Sequence, residues 1–167
     1  QFLTARKNYK ELLKQAKFFA VKNVILTDKK YFELYKEKFL TEKINIFNDY
    51  KSLNKIINKR LDYVMSSIVG LDGLLPTIEI IKHTKIIAIA NKETIICGWN
   101  IIKKKLKSYN TKFIPVDSEH FSIWYALKKT NTRNVEKIYL TASGGPLLNI
   151  PYKKFDKLKI NQILKHP

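Results

Sequence analysis

The stretch Lys85-Ile86-Ile87-Ala88-Ile89-Ala90 is apolar at every position after the first. Strand side chains alternate between two faces, so a strand apolar on both is covered on both. Glu93 to about Lys107 then reads as a helix, and Lys112 to Val116 as the next strand. Buried strands joined by an amphipathic helix signal parallel pairing with helices packed on each side. The same alternation extends outward. Upstream, Phe2 to Thr4, Val24 to Leu26, Ile44 to Phe47 and Tyr63 to Val69 read as strands, the last ended by Gly70. Asn8 with Glu11 three residues on reads as a capped helix start, followed by Tyr9, Leu12, Leu13, Ala16 and Phe19 at helical spacing. Asp28 caps a second helix, Asp49 or Ser52 starts a third, and Leu74 to Lys82 forms a fourth with Pro76 in its first turn. Downstream, Glu119 to Leu127 reads as a helix and Lys137 to Thr141 as a strand, with two short helices near Tyr152 to Leu158 and Asn161 to Lys165. The pattern predicts an α/β fold, a doubly wound, mostly parallel sheet. The polar turn Ser108-Tyr109-Asn110 marks one boundary along it.

Composition bounds the function. A chain of 167 residues, 45% apolar and 28% charged, is globular in balance and about one domain long. One cysteine, Cys97, excludes a disulfide framework and reads as a small buried apolar residue. No apolar run approaches the roughly 20 residues of a membrane-spanning helix, and the N-terminal residues lack a signal peptide's apolar segment. The expectation is a cytoplasmic protein with no membrane partner. The net charge of +18 favours phosphate-bearing partners in general. Its cations are nearly all lysine, scattered in short runs such as Lys103-Lys104-Lys105 and accompanied by abundant Ile, Asn, Tyr and Phe, as AT-rich codon usage produces. They read as solvated faces and not as a nucleic-acid surface; a basic nucleic-acid-binding module is the alternative.

Ligands of open parallel sheets bind outside the carboxyl ends of the strands. That rule singles out Ala5 to Asn8, Ala90 to Glu93, Val116 to His120 and Thr141 to Pro146. Asp117 and Glu119 lie two apart and share a side if strand geometry persists. Carboxylates so placed suit a hard divalent cation. The alternative is that Asp117 caps a helix and Glu119 favours its positive end. Lys92 suits an anionic or hydroxylated ligand, or is one more surface lysine. Ser143-Gly144-Gly145-Pro146 suits an oxyanion, or is a plain turn. His166 on its own reads as exposed, and Trp99 and Trp124 as packing residues. There is no Walker-type loop and no complete Gly-x-Gly-x-x-Gly.

Four blocks carry a resemblance: Ile68-Val69-Gly70 with Gly73-Leu74-Leu75-Pro76-Thr77; Ala90-Asn91-Lys92-Glu93; Pro115-Val116-Asp117-Ser118-Glu119-His120; and Leu140-Thr141-Ala142-Ser143-Gly144-Gly145-Pro146. Their order and spacing resemble the 1-deoxy-D-xylulose 5-phosphate reductoisomerase family along the whole chain, and the third block is highly specific. The resemblance implies an incomplete Rossmann-like NADPH-binding domain over residues 1–110. Residues 111–167 would begin an α+β catalytic domain. It implies Asp117 and Glu119 as ligands of manganese or magnesium, with cobalt a further candidate, and Lys92 beside them as a catalytic residue. It implies Lys92, Ser118, Ser143 and His166 as contacts of a sugar phosphate substrate, and Lys7, Asn8, Asn91 and Glu93 as contacts of NADPH. Arg6 departs from the family, which usually has Gly there. The family's N-terminal Gly-rich loop, third metal carboxylate and C-terminal part are not in this sequence. The implied whole protein is a bacterial homodimer of the non-mevalonate isoprenoid pathway, and the 167 residues alone are expected to be inactive.

Overall fold

The computed structural model describes residues 2–140 and 145–164. Six strands, β1 (Phe2–Ala5), β2 (Asn23–Leu26), β3 (Asn45–Phe47), β4 (Leu61–Ser66), β5 (Thr84–Ile89) and β6 (Lys112–Pro115), form two three-stranded parallel sheets ordered β1-β2-β3 and β4-β5-β6. The helices are α1 (Tyr9–Phe18), α2 (Lys29–Thr41), α3 (Leu53–Ile56), α4 (Leu74–Ile80), α5 (Lys92–Ser108), α6 (Ser118–Leu127) and α7 (Ile160–Ile163). The mixed α/β class with parallel sheets is therefore as the sequence reads. The ladder is two sheets, with no pairing between β1 and β4 among the described residues. The chain forms two compact units, residues 1–125 and 126–167.

The middle strand β2 shows how the first sheet is covered. Val24 and Leu26 face one cluster with Leu12 and Ala16 of α1 and Phe39 of α2. Ile25, pointing the other way, joins Leu53, Ile80, Ile87, Ile89, Ile102 and Leu106 in a second cluster. That second core takes residues from both sheets, so both are held in one unit by packing and not by a shared ladder. Burying a large aliphatic side chain contributes about 1.5–3 kcal/mol.

Local signals fix the helix ends. Asn8, Asp28 and Asn91 each accept a hydrogen bond from the backbone N–H three residues on, at 3.2, 3.2 and 2.9 Å, satisfying a first-turn donor. Three helices stop in one way. Ala20, Lys43 and Asn110 take positive φ of 51°, 58° and 48°. The next N–H then reaches back to Ala16 O, Phe39 O and Leu106 O. This is the left-handed helix stop usually given to Gly. The turn at Ser108-Tyr109-Asn110 is such a stop, and β6 beyond it pairs with β5.

Two expectations fail. Residues 137–140 form no ladder, and Ile138, Tyr139 and Leu140 are exposed. A strand without a neighbour has nothing to satisfy its backbone, and none lies beside it among the described residues. Cys97 is exposed, because it falls on the outer face of α5, whose inner face is set by Thr94, Ile95, Gly98 and Ile102.

Candidate functional site

The site lies where parallel strands end. β5 and β6 pair in register through Ile89 and Pro115, so the two following turns emerge side by side. Val116 N–H still donates to Ile89 O at 3.0 Å, and Ala90 N–H to Ser66 O at 2.9 Å. Strand geometry then stops: α6 begins at Ser118, so Asp117 and Glu119 sit on a helix start and the two-residue alternation does not apply. The capping role weighed for Asp117 is what the chain adopts. Asp117 Oδ1 accepts from His120 N–H at 3.0 Å and lies 2.6 Å from His120 Nδ1. The Asp117 side chain is only 8% exposed, and its buried Oδ2 has no hydrogen-bond partner among the described residues. Desolvation works to raise its pKa, but the His120 backbone N–H, ring and charge outweigh this and hold it below the usual range.

Glu119 is more open. Ser118 Oγ donates to its Oε2 at 2.9 Å, and Lys92 Nζ lies 3.7 Å from its Oε1. Its own backbone N–H, then Ser118, then the Lys92 charge lower its pKa, while the Asp117 charge opposes them. Glu119 thus senses the Asp117 charge, with the Lys92 ammonium beside it. These contacts bring Lys92, Ser118 and Glu119 together, and Asp117 adjoins them just before the start of α6. Among the described residues no group of three or more His, Cys, Asp or Glu is arranged to hold a metal ion. Two carboxylates, one presenting an orphaned buried oxygen, fit part of the oxygen shell of a hard cation and leave the rest to other ligands.

The remaining candidates lie at the end of β1, at the start of α5 and outside the described residues. Lys7 and Asn8 lie at the end of β1, with Lys7 Nζ 3.8 Å from Asp28 Oδ2. Arg6 Nη1 pairs with Asp72 at 3.0 Å, tying that strand end to the turn before α4. Glu93 is exposed in the first turn of α5. Asn91 is 5% exposed, and its amide is committed. Its Nδ2 donates to Ile68 O, and to Gly70 O at 2.6 Å, while its Oδ1 caps α5. Gly73 lets this brace form, since a Cβ there would lie 2.6 Å from Ile68 O and 2.7 Å from Asn91 Nδ2. Ser143 and His166 lie outside the described residues.

Sequence reasoning missed the contact of His120 with Asp117, although the Asp-x-x-His spacing of a helix cap signals it. It also missed a cavity of about 510 Å³ lined by Ile95, Ile96, Trp99, Phe113, Ile123 and Trp124, with His120 and Pro115 at its wall. Its residues are spread over 30 positions, with no local pattern to mark them.

A parallel α/β unit with carboxylates and a lysine at its strand ends suits an anionic or cationic ligand there, and comparison with known proteins supplies the family. The family model of 1-deoxy-D-xylulose 5-phosphate reductoisomerase matches residues 1–98, and that of the C-terminal domain of the same enzyme matches 113–167. The chain belongs to the 1-deoxy-D-xylulose 5-phosphate reductoisomerase family. It is 56% identical to the enzyme of that name from Pelagibacter ubique (strain HTCC1062), covering 100% of this chain and 44% of the relative. The enzyme from Wolbachia pipientis subsp. Culex pipiens is 37% identical, over 99% of this chain and 42% of its own length. The chain thus spans less than half the length of these relatives. Among solved structures, the reductoisomerase from Zymomonas mobilis in complex with NADPH superposes with a TM-score of 0.78 at 29% identity, covering 90% of this chain and 40% of that one. A reductoisomerase in complex with NADPH, fosmidomycin and magnesium gives 0.76 at 26% identity, over 100% and 44%. Among the described residues no helix is long and apolar enough to cross a membrane.

Proposed function

We propose that this chain is the cofactor-binding part and the first catalytic segment of an NADPH- and divalent-cation-dependent reductoisomerase. The whole protein would convert 1-deoxy-D-xylulose 5-phosphate to 2-C-methyl-D-erythritol 4-phosphate in non-mevalonate isoprenoid biosynthesis. Residues 1–110 would serve the cofactor and 111–167 begin the catalytic domain, a division the two family matches support. One observation carries the reading: a buried Asp117 oxygen at a strand end, without a hydrogen-bond partner among the described residues, next to Glu119 and its neighbour Lys92.

Asp117 and Glu119 would hold magnesium or manganese. Bound there, the cation supplies Lewis acidity to substrate oxygens, and NADPH supplies the hydride. The chain's own residues do the placing. Lys92, a mobile point charge 3.7 Å from Glu119, orients anionic substrate oxygens. Ser118, and Ser143 and His166 beyond the described residues, position the sugar phosphate. Lys7, Asn8 and Glu93 line the cofactor side, and Asn91 serves it by fixing the Ile68 to Gly70 loop.

The test is turnover by the whole protein, followed as nicotinamide absorbance. Asp117→Asn and Glu119→Gln should each abolish turnover while NADPH affinity is kept. Full cation-dependent activity in either variant refutes the assignment. The 167 residues alone, given NADPH, Mn²⁺ and substrate, should oxidise none.

A further inference from the structure

The two oxygens of Asp117 are treated differently. Oδ1 takes two contacts from one residue, the His120 backbone N–H at 3.0 Å and the His120 ring Nδ1 at 2.6 Å. Oδ2, equally part of a side chain 8% exposed, takes none among the described residues. A carboxylate rotates about its last bond with little resistance, so something must decide which oxygen is left for a ligand. A backbone N–H at a helix start selects weakly, because either oxygen satisfies it. A ring nitrogen 2.6 Å from the same oxygen removes that freedom. The carboxylate accepts from Nδ1 only when Nδ1 bears the proton, so the pair also fixes the histidine tautomer. The ring borders the apolar cavity beside Ile123 and Trp124, with its side chain 44% exposed.

We propose that His120 is a positioning residue for the cation site. By claiming Oδ1 of Asp117 from two directions, it leaves Oδ2 as the liganding atom. This rests on the reading of Asp117 as a cation ligand. Groups that hydrogen-bond a liganding carboxylate set its orientation, and their loss typically weakens metal binding about 10–100-fold.

The experiment measures Mn²⁺ affinity of the whole protein by electron paramagnetic resonance of the free ion, without substrate, and the melting temperature without metal. His120→Leu should bind Mn²⁺ about 10–100-fold more weakly at an unchanged metal-free melting temperature. His120→Asn, whose amide nitrogen stands where Nδ1 stood, should bind within about threefold of the parent, whereas His120→Gln, whose nitrogen falls nearer Nε2, should be as weak as the leucine variant. If the leucine variant does not fold, the asparagine and glutamine pair decides alone. Parent-like affinity in His120→Leu or His120→Gln, or equal weakness in His120→Asn, overturns the positioning role. Asp117→Asn separates the two claims. If it binds Mn²⁺ like the parent, the cation site itself fails; if it loses Mn²⁺ while His120→Leu does not, only the role of His120 fails.

Discussion

Replacing Asn91 tests how the site's supporting loop is held. The residue is 5% exposed and its side chain does two jobs: Oδ1 caps α5 at Thr94 N–H, 2.9 Å away, and Nδ2 braces Ile68 O and Gly70 O. Gly70 O keeps a second donor, Gly73 N–H at 3.2 Å, so Asn91→Ala orphans chiefly Ile68 O. Losing the cap costs about 1 kcal/mol, and an orphaned carbonyl about 1–3 kcal/mol. The sum, about 2–4 kcal/mol, is a large share of the roughly 5–15 kcal/mol that stabilises a domain. Asn91→Asp separates the two jobs. Aspartate caps a helix as well as asparagine does, but it offers no donor and sets a carboxylate against two carbonyl oxygens. It should therefore lose as much as alanine. Urea unfolding followed by Trp99 and Trp124 fluorescence reads both variants. At an m-value of about 2 kcal/mol per molar, the midpoint should fall by roughly 1–2 M. An Asn91→Asp chain unfolding at the parent's midpoint would refute the brace and leave only the cap.

Two further outcomes follow from single positions. Lys43 stops α2 with φ of 58°, a conformation that costs a side-chain-bearing residue about 1–2 kcal/mol. Lys43→Gly should raise stability by about 0.5–1 kcal/mol net of the unfolded-state entropy, seen as a higher urea midpoint; a lower midpoint contradicts the strain. His83 has its pKa pushed below the usual imidazole value, first by burial and then by Lys82, and its buried Nε2 has no hydrogen-bond partner among the described residues. The unfolded chain binds that proton more readily. Stability is therefore full above about pH 6.5 and falls as pH drops through the lower folded pKa. His83→Gln should flatten this acid-side slope in urea midpoints collected across pH, and an unchanged slope would contradict it.

Much of the fold was legible because it rests on local rules. Asn8 and Asp28 announced their helices by cap chemistry, and the isoleucines of β5 announced burial on both faces. The split into two sheets was not legible, because pairing between strands is a long-range property that no local pattern encodes. The strand expected from Lys137 failed for the same reason: apolar alternation states a preference, and a neighbour must supply the hydrogen bonds. Around the site, the Asp117 to His120 block marked the right residues and spacing even marked the cap. What spacing could not show was the partnerless Oδ2, or that Asn91 spends its amide 21–23 residues away. Those depend on which backbone atoms the fold brings alongside.

The central claim is that Asp117 and Glu119 form a divalent-cation site at the strand ends. Adding Mn²⁺ to the isotope-labelled chain and recording amide line broadening tests it most directly. The account predicts broadening that begins at residues 117–120 and at Lys92, and that Asp117→Asn abolishes there. Broadening centred on other surface carboxylates, or left unchanged at residues 117–120 by that substitution, would contradict it.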